Sequence, residues 1–301
     1  MISRRALTLL ALAGLAGAAA CTAYAQAPAR TPGVLRLATT TSTADTGLLN
    51  ALLPSFEQQC GCRVEVVAVG TGQAIELGRR GDADVLLVHA LSQELAFIAE
   101  GHATRRDDVM YNDFVVVGPA TDPAHVAGAT AVKDVFRRLA AGAAPFASRG
   151  DRSGTHTKEL AIWASIGVMP ATASAWYLSV GQGMGETLAF ANERQAYVLS
   201  DRGTWLSMQT RLPGLRLLFG GTSIAQNPEA DLRNQYGVIV VDAARHPGVN
   251  SAVAARFGAW LLSVPVQERI GAFGRDRVGQ PLFYPNSAAY LAATRNRGGR
   301  T

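Results

Sequence analysis

The stretch from Val34 to Gln73 constrains the fold more than any other part of the chain. It reads VLRLATTTSTADTGLLNALLPSFEQQ, then CGCRVEVVAVGTGQ. A short apolar run, Val34 to Ala38, predicts a buried strand. It stops at five consecutive hydroxyl residues, Thr39 to Thr43. An amphipathic segment follows, with Leu49, Leu52, Leu53 and Phe56 at helical spacing. A second apolar run, Val64 to Val69, ends in Gly70-Thr71-Gly72. Two strands of parallel type therefore each end in small or hydroxyl residues that open a helix. The first N–H groups of a helix lack intrahelical partners and carry the positive end of its dipole. Hydroxyls and glycines at such a junction favour an anion. A single N-cap needs one hydroxyl, and five exceed that need.

The 301-residue chain is long enough for one or two well-buried domains. Charged residues make up 17% and hydrophobic residues 48%, which excludes wholesale disorder. The formal net charge of +5 includes Arg4 and Arg5; without them it is about +3, too weak for a nucleic-acid partner. Those two arginines precede an apolar run, Ala6 to Ala20, too short to span a membrane and suited to a signal peptide. Ala23-Tyr24-Ala25 and Ala25-Gln26-Ala27 are small-x-small cleavage sites, so residues 1–27 are expected to be removed on export. Ser3-Arg4-Arg5-Ala6-Leu7 partly matches a twin-arginine signal. Ala18-Ala19-Ala20-Cys21 is a weak lipoprotein box, and lipid anchoring through Cys21 stays open. Cys60 and Cys62, separated by one residue, have no third or fourth ligand nearby for a metal. They are expected to be structurally optional, and oxidisable after export.

Beyond Thr31 strands and helices alternate. Apolar runs at Val85–Val88 and Phe114–Val117 continue the series, with helical segments at Gly47–Gln59, Gln73–Arg80 and Ser92–Glu100 between them. Pro54 falls inside the first of these helices. This rhythm predicts a parallel or mixed sheet covered on both faces. A second unit follows, with a helix at Lys133–Ala141 and strands at Pro145–Ser148, Trp176–Val180, Ala196–Ser200, Leu215–Phe219 and Tyr236–Val241. Helices at Ser251–Leu262 and Pro265–Phe273 close the series.

The strongest local motif is Ser148-Arg149-Gly150-Asp151-Arg152-Ser153-Gly154-Thr155, between a strand and a helix. Arg149 supplies a planar, permanently charged donor fork suited to oxyanions. Ser153 and Thr155 add hydroxyls, and Gly154 permits close backbone approach. Asp151 could hold Arg149 by an ion pair. The motif lacks the Gly-x4-Gly-Lys-Ser/Thr pattern of a phosphate-cradling loop. No catalytic constellation stands out: Ser153 is outside a G-x-S-x-G elbow, and the histidines show no ligand spacing. His156 is read as a partly exposed helix residue or a ligand donor, and His89 as a residue of the cleft rim. Asp201 is read as a lip contact or a helix cap.

These blocks together resemble the tungstate-binding component, of TupA type, of bacterial ABC importers. The resemblance rests on Thr39–Thr43, Val67–Ala74, Asp84–Ala90, Tyr111–Pro119 and Ser148–His156. Gly181–Gly185, Asp201–Thr204 and Phe283–Pro285 also carry it, and it spans roughly Val34 to Pro285. It implies an α/β, two-lobed type II periplasmic binding protein fold with a hinge of two crossing strands, Phe114–Gly118 and Tyr236–Val241. The first lobe would comprise 31–116 plus 240–301 and the second 117–239. It also implies an oxyanion site lined by Thr40, Thr41, Ser42, Thr71, Arg149, Ser153, Gly154 and Thr155. No cofactor or metal is expected. The implied partners are a small oxyanion and the membrane permease of an ABC importer, and the protein is expected to be a periplasmic monomer. Cys60, Cys62 and Arg152 depart from the family pattern.

Three alternatives remain at this level. A phosphate- or molybdate-binding protein of the same fold is one; phosphate retains a proton near neutral pH and needs a buried acceptor, whereas tungstate needs donors alone. An exported hydrolase built on Ser153 and His156 lacks an orienting acid. A sensor subunit would use the same fold.

Overall fold

The structure, a computed structural model, describes residues 33–171 and 174–298. The expected signal peptide and Cys21 lie outside the described residues. Along the chain, β1 (Val34–Thr40), α1 (Thr41–Asp45), α2 (Leu48–Cys60), β2 (Arg63–Val69), α3 (Thr71–Arg79), β3 (Val85–Val88) and α4 (Leu91–Ala99) form the first alternating unit. A long strand, β4 (Asp107–Pro119), leads into α5 (Val132–Ala141), β5 (Phe146–Ser148), α6 (Gly154–Ser165), β6 (Tyr177–Ser179), α7 (Met184–Arg194), β7 (Val198–Asp201), α8 (Arg202–Met208) and β8 (Leu215–Phe219). The chain returns through β9 (Arg233–Val240) and ends in α9 (Ser251–Leu261), α10 (Val264–Ala272), α11 (Arg275–Val278), β10 (Tyr284–Pro285) and α12 (Ala288–Gly298).

Strand β4 organises both halves. Its first part, from Asp107 to Asp113, pairs antiparallel with β9, in a sheet of order β10-β4-β9-β3-β1-β2. Its second part, from Phe114 to Val117, pairs antiparallel with β7, and Val116 to Pro119 pair with β8. The sequence pattern revealed only Phe114–Val117 of this strand. Its first part carries Asp107, Asp108, Asn112 and Asp113, which break the apolar run although Asn112 and Asp113 are buried. Within the first sheet β1 pairs parallel with β2 and β3, so β1 and β2 end on one edge. The small parallel pair β5-β6 joins the second half through a bridge between Phe146 and Tyr197.

One core cluster runs from the first sheet into the second half, where it includes Leu188, Val198 and Trp205, and the second half has a further cluster of its own. Leu35, Leu37, Leu52, Phe56, Val85 and Phe257 are buried beside the first sheet. In the second half Trp163 meets Phe136 and Phe146 edge to face, with ring centres 4.4 Å and 5.4 Å apart. Such aromatic packing fixes α6 against β5. Helix α1, with the sequence TSTAD, has no apolar periodicity and so left no helical signal. Pro54 sits inside α2. The N-cap residue of α4 is Ala90, and its amide donates to the Glu94 carboxylate at 2.6 Å. Cys60 and Cys62 are joined in a disulfide around Gly61, which has φ +62°.

Candidate functional site

Three helices begin where the two halves meet. β1 runs into α1, β2 into α3, and β5 through a tight turn into α6. Gly70 and Gly154 let the halves approach. A Cβ on Gly70 would lie 3.2 Å from the Asp151 carbonyl, and one on Gly154 would lie 2.8 Å from His89 Nδ1. The Gly154 amide donates to Thr71 Oγ1 at 3.2 Å, so the start of α6 is tied to the start of α3 across the boundary. A cleft of about 930 Å³ opens at this junction, with Thr41, Gly70, Asp151, Arg152 and Gln182 in its walls.

The sequence-predicted residues converge at this junction in distinct roles: Thr41 lines the cleft, and the others are buried. Arg149 is 1% exposed; its Nη2 donates to Asp151 and, at 3.3 Å, to Thr41 Oγ1 of the other half. Its Nε and Nη1 are buried and have no hydrogen-bond partner within the protein. The same holds for Thr155 Oγ1. Ser153 is the N-cap of α6 and Thr40 the N-cap of α1, each accepting a backbone N–H, from His156 and Thr43, at 3.2 Å. Both capping hydroxyls keep their own proton as a donor. Ser42 is fully buried, and its hydroxyl sits 3.1 Å from Thr40 Oγ1. Buried donors normally find partners, because an unpaired buried polar group costs about 1–3 kcal/mol. Three such donors, two of them on the Arg149 guanidinium, at the convergence of helix N-termini form a seat for a small anion with several oxygens.

Asp151 is fully engaged. Its Oδ2 accepts from Arg149 and its Oδ1 from the Ser153 amide at 3.1 Å. Arg152 is exposed, with φ +59°, and its amide donates to His156 Nδ1 at 3.0 Å. Ser153 and His156 meet through the His156 backbone amide, which is not the pairing of a nucleophile with its base. Asp201 is a helix cap: it accepts from the Thr204 amide at 2.8 Å.

Sequence reasoning missed the polar groups beneath these donors. His89 is buried, not on the cleft rim. Its Nε2 lies 3.2 Å from Thr40 Oγ1 and 3.3 Å from Ser42 Oγ. Burial and the neighbouring Arg149 charge lower its pKa to about 4. Arg202 clamps Asp113 with two bonds of 2.6 and 2.7 Å and the Gly220 and Gly221 carbonyls at 2.6 and 2.7 Å. The only signal for either was a polar residue at the end of an apolar run.

Glu159, one turn after Thr155, is buried behind Ser148. The Tyr177 hydroxyl donates to its Oε1 at 2.7 Å and lies 2.9 Å from Ser148 Oγ. Burial raises its pKa from 4.5 to about 7. A raised carboxyl is neutral in both states below about pH 4.5. Above that pH the unfolded chain ionises first, so stability falls until the folded pKa is passed. Glu159→Gln keeps the acceptor for Tyr177 and removes the titration. Its melting temperature is expected to match wild type at pH 4.5 and to exceed it at pH 8, by about 1–3 kcal/mol in stability. Thermal melts of both proteins across this range check it, and parallel profiles would refute it.

Two α/β halves that share one long strand, with buried donors at their junction, define a two-lobed binding protein. The profile of the PBP superfamily domain matches residues 22–264. The tungstate-binding protein TupA of Peptoclostridium acidaminophilum is 45% identical over 258 residues, covering 85% of this chain and 87% of the relative. Among solved structures, the tungstate ABC transporter from Geobacter sulfurreducens superposes with a TM-score of 0.71 at 43% identity, covering 81% of this chain and 100% of that one. The tungstate-binding protein TupA from Desulfovibrio alaskensis superposes with a TM-score of 0.69 at 42% identity, covering 84% and 99%. The fold is thus the two-lobed type II periplasmic binding protein fold with two crossing strands. The chain belongs to the PBP superfamily and, within it, to the family of the tungstate-binding protein TupA.

Proposed function

We propose that the protein is an extracytoplasmic solute-binding protein that captures tungstate in the interlobe cleft and delivers it to an ABC permease. The observation that carries this reading is the set of buried donors without a protein partner: Arg149 Nε and Nη1, and Thr155 Oγ1. Thr40, Thr41, Ser42, Thr71, Ser153 and Gly154 surround them as hydroxyls and helix-start amides. Tungstate carries no proton, so a site made of donors suits it. Asp151 is tied to Arg149 and to the Ser153 amide, and in this reading it holds the motif together and does not serve the proton that phosphate would bring. The choice of tungstate over molybdate follows what the names of the TupA relatives say they bind.

In this reading the lobes 31–116 plus 240–301 and 117–239 close over the ion. Ligand bridging both lobes favours the closed state, because only there do both sets of donors reach it. The protein acts as a binding protein, not an enzyme, needs no cofactor, and works as a monomer in the periplasm after loss of residues 1–27. No helix among the described residues is long and apolar enough to cross a membrane. Tungstate at 100 times its dissociation constant is expected to stabilise the protein by about 2.7 kcal/mol. A melting curve that moves with phosphate and not with tungstate would transfer the assignment to phosphate.

A further inference from the structure

We infer that His89 is a positioning residue for the oxyanion site, held as its Nδ1–H tautomer by a chain of amides that begins at the Asp201 helix cap, so that its Nε2 draws the hydroxyl proton of Thr40 or Ser42. The inference deepens the oxyanion-binding reading and rests on it for its functional consequence. The chain can be read from one unambiguous donor. The Thr204 backbone N–H can only donate, and it meets Asp201 Oδ1 at 2.8 Å. That oxygen is therefore an acceptor, and the Asn112 group facing it at 3.4 Å must be the NH2. Asn112 then turns its carbonyl oxygen to Asn234, whose NH2 donates to it at 2.8 Å. Asn234 in turn presents its carbonyl oxygen to His89 Nδ1 at 3.0 Å. An amide oxygen accepts and never donates, so Nδ1 carries the proton.

The second ring nitrogen is bare at neutral pH. The ring is buried beside the Arg149 cation, and both effects disfavour a second proton. Nε2 then needs a donor, and the hydroxyls at 3.2 and 3.3 Å, Thr40 and Ser42, lie within reach. Thr40 Oγ1 also accepts from the Thr43 amide, and the Thr43 hydroxyl lies 2.7 Å from it. One proton of this cluster is directed to His89, and the others are left in a fixed order for the anion. With the opposite tautomer Nε2 would donate, and the hydroxyl protons would point elsewhere. Asn112, Asn234 and Asp201 are each at most 1% exposed. They place the chain on β4, β9 and β7, so the order of protons in the first lobe is set from the second through both crossing strands.

Long-range proton–nitrogen NMR of the isotopically labelled protein, without ligand at pH 7, reads the tautomer directly. The expected His89 pattern is that of a neutral ring protonated at Nδ1. Asn112→Ala cuts the chain; it is expected to give mixed tautomers at His89 and to weaken tungstate binding about tenfold. A wild-type ring protonated at Nε2, or charged, would overturn the inference, and the wild-type spectrum decides this even if the variant fails to fold. An Asn112→Ala protein with an unaltered tautomer, or with an altered tautomer and unaltered affinity, would also overturn it. The ligand-free spectrum is independent of the ion bound, so an Nδ1–H ring in a protein that binds no oxyanion would count against the functional reading alone.

Discussion

Arg149→Ala is expected to weaken oxyanion binding by about ten- to a hundredfold, equal to about 1.5–3 kcal/mol for a lost charge-assisted hydrogen bond to a buried anion. The side chain is 1% exposed and has two nitrogens without a protein partner. Removing it therefore also removes a buried, incompletely paired cation. Its ion-pair partner Asp151 is partly accessible to water and keeps the Ser153 amide. The ligand-free variant is expected to melt no lower than wild type, while the shift induced by tungstate shrinks. Arg149→Lys restores the charge and not the fork, and should recover part of the affinity. Arg152→Ala, at an exposed position on the cleft wall, should weaken binding far less and lose its effect at high salt. Titrations of the three variants at low and high salt check this. Should Arg152→Ala prove the more damaging at both, the second-lobe site is misassigned.

Arg202→Ala is expected to lower stability by about 3–5 kcal/mol, the cost of breaking a buried ion pair from one side. Arg202 and Asp113 are each 2% exposed. Without the guanidinium, Asp113 retains a side-chain bond from Asn227 at 2.7 Å, and the Gly220 and Gly221 carbonyls lose their Arg202 donors. The clamp sits where β4 passes from one sheet to the other and beside the return from β8 to β9. Domains are stable by only about 5–15 kcal/mol, so the loss would be a large share. Asp113→Asn in the Arg202→Ala background removes the unpaired charge and should recover part of it. Urea denaturation of wild type and both variants measures the effect, and a loss below about 1 kcal/mol would mean that the pair contributes little.

How far the sequence could be read depended on what each residue reports. The strands β1, β2, β3 and β8 are apolar runs, and the pattern alone marked them within two residues. The oxyanion motif was legible because an arginine, two hydroxyls and a glycine crowd one turn. The first half of β4 was not, since Asn112 and Asp113 look like loop residues until their buried partners, Asn234 and Arg202, are known. Those partners lie 122 and 89 residues away. A periodicity of two or of 3.6 carries no information at such separations. Helix α1 escaped notice because five residues with no apolar face have no period to detect. His89 was seen at the end of a strand, but the depth at which it sits depends on how Gly154 of the other lobe packs on it.

The most direct test of the central claim is a calorimetric titration of the mature protein with tungstate, molybdate, sulfate and phosphate under one set of conditions. A site built around buried donors predicts saturable 1:1 binding of tungstate and weaker binding of phosphate. Saturable heat with phosphate and none with tungstate would contradict it.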